Sequence, residues 1–123
     1  MAAEVVFDYP TSTSTIVRQQ NYFDIWGRLT ETEPFTSFTV SQIQYRDMLT
    51  SPWRTLADPG SYSQVITTPA QQTNRTWAFQ IYSLPSHMQY RIQVSADNNG
   101  SLIDATYSDP FSLQAMKIAE EEK

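Results

Sequence analysis

The sequence predicts a single all-β domain: two packed antiparallel sheets of about seven strands, with an extended N-terminal arm. Three observations carry that expectation. Apolar and polar side chains alternate with period two along much of the chain, as half-buried strands require. Turn residues interrupt the alternation roughly every ten positions, the rhythm of a sandwich or small barrel. At 123 residues and 14.1 kDa there is room for one core and little more. Hydrophobic residues at 40% and aromatics at 13% can fill that core, so disorder of the whole chain is not expected. Only 17% of residues are charged, against a usual figure of about 25%. Ser, Thr, Gln and Asn take the polar positions instead, which suits the outward side of strands.

The elements follow in order. Val5, Phe7 and Tyr9 fall on alternate positions, and Pro10 stops the unit. The Ser/Thr run from Thr11 to Thr15 has no apolar anchor and reads as a linker, so residues 1–14 are expected to form an arm or a first strand. From Asn21 to Leu29, alternation puts Phe23, Ile25, Gly27 and Leu29 on one face. Tyr22, Asp24, Trp26 and Arg28 take the other. After the break from Thr30 to Pro34 come Phe38, Val40, Ile43 and Tyr45. The three-residue step inside that set marks a bulge, or a loop handing over to a strand. Ser51-Pro52 is a further break, followed by Trp53 and Leu56, and Asp58-Pro59-Gly60 is a strong turn. Tyr62, Val65 and Ile66 give a short strand before Pro69, and Gln71 to Arg75 reads as a loop. Trp77, Phe79 and Ile81 alternate cleanly until Leu84-Pro85. Tyr90, Ile92, Val94 and Ala96 form the best alternating run, closed by the hairpin signal Asn98-Asn99-Gly100. Ala105 to Leu113 supplies a last strand, which Pro110 places on an edge or interrupts. The acidic tail, residues 114–123, consists of helix formers and reads as a short helix or a frayed end. There is no βαβ rhythm and no internal repeat.

Trp77, Leu84, Tyr90, Ile92, Val94, Ala96, Gly100 and Ser108 resemble the second half of a fibronectin type III or bacterial immunoglobulin-like domain. More loosely, Phe23-Asp24-Ile25-Trp26-Gly27 resembles the second strand of that family, Ile43-Gln44-Tyr45-Arg46 the third, and Trp53 the edge that follows. The likeness covers residues 15–113. Pro85 stands one place earlier than the proline of the fibronectin pattern, and the segment before Ile43 is longer than usual. The resemblance implies an immunoglobulin-like antiparallel β-sandwich. It also implies structural roles for Trp77, Leu84 and Tyr90. Leu84 and Tyr90, six positions apart, would form a tyrosine corner, the phenol turning back to an acceptor upstream.

Composition narrows the partners. A net charge of −5 and a pI near 4.6 give a polyanion no reason to bind, and the eight basic residues are scattered, so nucleic acid is not expected. With no cysteine there is no disulfide framework and no thiolate metal site. No apolar stretch reaches the roughly 18 residues of a membrane span. Met1 to Pro10 has neither the basic region nor the apolar run of a signal peptide. The chain is expected either to stay where it is made or to be a piece of something longer.

No catalytic residue, cofactor or metal is expected. His87, the single histidine, lies in the Leu84–Tyr90 corner as a solvent-facing loop residue, with no strained nucleophile signature to serve it. Asp97-Asn98-Asn99-Gly100 with Asp104 offers calcium-type oxygens but lacks alternating carboxylates and reads as a turn. Asn74-Arg75-Thr76 is a glycosylation acceptor by chance. Two sets of apolar side chains are the candidates for a partner. If Phe23 and Ile25 face the core, Tyr22 and Trp26 face outward and offer a docking or sugar-stacking platform, unless Trp26 packs at the sheet rim. Val5, Phe7 and Tyr9 either form an ordinary strand or let the arm pair with the edge of a neighbour, in self-association included. The expectation is a non-catalytic structural or binding module of a larger assembly. The lack of a secretion signal and of cysteine resembles bacteriophage virion proteins, such as capsid decoration or tail-associated modules. The alternative is a carbohydrate-binding or adhesion module of a longer extracellular protein.

Overall fold

Strands form where the sequence alternates, and the computed structural model, which describes residues 3–11, 14–18, 22–31 and 34–115, has ten of them. They are β1 (Val5–Tyr9), β2 (Ser14–Arg18), β3 (Tyr22–Leu29), β4 (Ser37–Arg46), β5 (Arg54–Thr55), β6 (Ser63–Val65), β7 (Thr76–Tyr82), β8 (Gln89–Asn98), β9 (Ser101–Tyr107) and β10 (Phe111–Ala115). A short helix, α1 (Pro69–Thr73), bridges β6 and β7.

The strands build two sheets. The smaller has the order β1-β3-β7-β6 and is antiparallel throughout. The larger runs β2-β10-β8-β4-β5, with β9 beside β8 in the same lane as β10. Phe23, Ile25 and Ile81 from the first sheet meet Ile43, Ile92 and Val94 from the second, all buried. The orders β1-β3-β7-β6 and β10-β8-β4 reproduce the two-sheet arrangement of an immunoglobulin domain. The all-β sandwich expected from the sequence is the observed fold.

Trp77 fills the centre, fully buried, with Phe7 meeting it edge-on at 4.9 Å and its indole N–H donating to the Arg28 carbonyl at 3.3 Å. Tyr90 is buried to 1% exposure. Its hydroxyl donates to the Pro85 carbonyl at 2.5 Å and accepts from the His87 N–H at 2.8 Å. Leu84 is buried beside them.

The structure decides between the alternatives at several points and corrects the expectation at others. Of the two readings of the N-terminal unit, the ordinary strand is the one observed: it is the edge strand β1 of its own small sheet, pairing Val5 with Leu29 and Phe7 with Gly27. Its start is tied to the far sheet, where the Val5 N–H donates to Asp104 Oδ2 at 2.8 Å. The linker from Thr11 to Thr15 gives way at Ser14 to β2, which runs parallel to β10. Ile16 is buried there at 2% exposure. One pair in the sandwich is therefore not antiparallel, and the strands outnumber the expected seven. β5 and β6, only two and three residues long, account for part of the excess. The closing strand is split: Ser108 to Pro110 separates β9 from β10. Ser108 bridges that break, donating its N–H to the Ile92 carbonyl while its hydroxyl accepts from the Ile92 N–H. The step between Val40 and Ile43 is a bulge, and the extra residue is Ser41. The loop from Gln71 to Arg75 begins inside α1, started by a capping box in which Thr68 and Gln71 satisfy each other's N–H groups. The acidic tail beyond Ala115 lies outside the described residues.

Candidate binding faces

Each sheet turns one face outward, and each face carries an aromatic cluster. On β3 the alternation holds as expected: Phe23, Ile25, Gly27 and Leu29 are buried, while Asp24, Trp26 and Arg28 are exposed and Tyr22 is half-buried. Register then fixes neighbours. Tyr22 stands opposite Tyr82, Asp24 opposite Gln80 and Trp26 opposite Ala78, whose methyl group leaves the indole room. The pairing of β1 shifts between Phe7 and Tyr9, and the shift brings Tyr9 opposite Trp26. The two rings stack at 4.6 Å with 17° between planes. Asp8 and Arg28 form an ion pair beside them. Trp26 remains 44% exposed.

The five candidate residues therefore do different things. Tyr9, Tyr22 and Trp26 share the outer face of the small sheet, with about 13 Å along β3 between the last two. Val5 is buried at 2% exposure and Phe7 packs on Trp77, so both serve the core. An arm offering all three of Val5, Phe7 and Tyr9 to a neighbour is not what the structure shows.

The large sheet carries a second cluster that the sequence reading passed over. Alternation turns Arg91, Gln93 and Ser95 of β8 away from the core, and register sets Gln44 of β4 opposite Arg91 and Arg46 opposite Gln89. Trp53, in the turn before β5, lies across them. The Arg46 guanidinium sits 4.3 Å from the Trp53 ring centroid and that of Arg91 4.7 Å from it. Arg91 also covers Tyr107 at 4.3 Å. The arginine Nε atoms are anchored, Arg46 donating to Gln89 Oε1 at 2.8 Å and Arg91 to Gln44 Oε1 at 2.7 Å. Tyr107 donates to Gln42, and Ser41, the bulge residue, joins Gln93 and Ser95. The signal that could have found this face is the outward series Gln42, Gln44, Arg46 beside Arg91 and Gln93. Read one strand at a time, these are only polar spacers.

His87 is not the exposed loop residue expected. Its ring is 20% exposed, stacks on Tyr45 at 3.8 Å, and holds Nδ1 3.0 Å from Oδ1 of Asp47. Asp47 is 64% exposed, unlike the buried acid that orients a catalytic imidazole. The residues weighed as calcium ligands are used otherwise. Asn99 and Gly100 take φ of 52° and 88°, as a two-residue hairpin turn needs. Asp97 accepts from the Gly100 N–H at 3.1 Å, and Asp104 accepts from Val5. Among the described residues no three His, Cys, Asp or Glu side chains gather into a metal-type group.

Fold and faces together define an immunoglobulin-like β-sandwich domain. No protein-family profile and no curated protein sequence matches the chain. Among solved structures, the crystal structure of the titin M3 domain matches 95% of this chain and 100% of that chain, at 14% identity and a TM-score of 0.43. A likeness of that size adds nothing to what the strand order already shows.

Proposed function

We propose that the chain is a non-catalytic module that docks on a protein partner within a larger assembly, with a phage virion as the setting its sequence resemblance favours. The Tyr9–Trp26 stack is the observation that carries this. A 44% exposed indole, braced at 4.6 Å by a second ring, presents apolar area with little rotamer entropy left to lose on binding. Asp8, Asp24, Arg28 and Gln80 surround the stack with polar and charged groups, and the Tyr22–Tyr82 pair lies further along the same face, so the stack is its natural anchor point.

The test is co-sedimentation with particles purified from the source lysate. The chain is expected in the particle fraction, and Trp26→Ala is expected to move it to the supernatant with an unchanged melting temperature. Wild-type chain that stays in the supernatant would sink the virion setting. A second reading, a carbohydrate-binding module, draws on Tyr22 and Trp26 sharing one face. Tyr9 already occupies one side of the indole, which leaves a sugar ring less to stack on. A glycan panel read by tryptophan fluorescence decides it, silence counting against sugar.

A further inference from the structure

The geometry points to an acidic peptide segment of a protein partner as the ligand of the opposite face, bound through Arg46 and Arg91 around Trp53. In a chain of net charge −5, these two of its eight basic residues stand on the neighbouring strands β4 and β8 of one sheet. Arg46 and Arg91 are diagonal neighbours across the β4–β8 ladder, a spacing of about 7–8 Å at which like charges repel. Neither has a carboxylate in ion-pair reach among the described residues. The arrangement is nevertheless rigid. The Trp53 ring lies at 4.3 Å and 4.7 Å from the two guanidinium carbons, and a glutamine fixes each Nε.

That leaves the Nη edges without an acceptor among the described residues. A guanidinium held in plane with a free edge is the geometry that takes a carboxylate side-on. Bound carboxylates would relieve the repulsion that the empty face sustains. A cleft of about 450 Å³, lined by Arg46, Asp47, Met48, Ser51, Pro52 and Arg54, adjoins this group. Met48, 60% exposed, gives it an apolar wall for a side chain next to the carboxylates. Asp47, the one acid of the cleft, is engaged by His87. At physiological ionic strength charges beyond about 8 Å are largely screened, so the chain's overall negative charge does not forbid an acidic ligand in direct contact. The polar apron of Gln42, Gln44 and Gln93 suits a peptide backbone, whereas a nucleic acid would have to lay a long polyanion against the acidic remainder.

The experiment titrates the full chain with acetyl-Glu-Glu-Leu-Glu-Glu-amide, following Trp53 by fluorescence and by its indole N–H resonance. Binding is expected to weaken with added salt and to vanish for the peptide with Gln in place of Glu. Arg46→Gln and Arg91→Gln should each weaken it about tenfold or more. Arg91→Lys keeps the charge but loses the planar fork, and should also bind less well without change in melting temperature. Gln64→Ala, on the exposed β6, should bind as the wild type does. The inference is overturned if no binding occurs at millimolar peptide, if the Gln peptide binds equally, or if the Arg46→Gln, Arg91→Gln double variant binds as tightly while folded. Equal binding of inorganic phosphate or of a single-stranded oligonucleotide would also overturn it, leaving a generic anion site.

Discussion

A methyl group at position 27 would sit 2.0 Å from the Val6 carbonyl oxygen and 2.5 Å from Cζ2 of Trp77. Both neighbours are fixed, one by the β1–β3 ladder and the other by full burial. Gly27→Ala is therefore expected to lower stability by roughly 3 kcal/mol or more, read from the urea midpoint at an unchanged slope. A loss under about 0.5 kcal/mol would mean that β1 is not held where it is described. Tyr90 shows the same dependence of one residue on its surroundings, since its phenol is buried only because Pro85 and His87 satisfy it. Residues like these were legible because burial ties them to alternation and to the Leu84–Tyr90 spacing. Arg46 and Trp53 were not, because a cation–π contact depends on which strands become neighbours, and no single strand records that.

Among the elements, legibility followed the length of the alternating run. β3, β7 and β8 bury side chains at every second position, and their phase could be read directly, including the outward aim of Trp26. β2 could not, since Ile16 and Val17 are adjacent and offer no period to count. It exists because the edge of β10 needs a partner, a fact about the other end of the chain. β5 and β6 are likewise too short to carry a pattern. The buried position of Ile16 separates strand from linker by experiment. Ile16→Ala is expected to destabilise the domain by about 3 kcal/mol in thermal or urea unfolding. In a linker the same change would be silent.

For the molecule as a whole, the two sheets lie about 10 Å apart and turn chemically different faces outward, an aromatic pair on one and a guanidinium–indole stack on the other. The first is written in the alternation of β3 alone, whereas the second exists only once β4, β8 and Trp53 come together. The order of the strands also sets which parts open last. β8 is flanked by β4 on one side and by β9 and β10 on the other. Its amides from Tyr90 to Ala96 should exchange slowest with deuterated water, and those of the rim strands β5 and β6 fastest. Equal protection across all of these would contradict the pairing. The parallel contact of β2 with β10 has a further consequence, for synthesis. It joins residues 14–18 to residues 111–115, so the large sheet cannot close on a growing chain until residue 115 has emerged from the ribosome. Until then Ile16, buried in the finished domain, must wait uncovered.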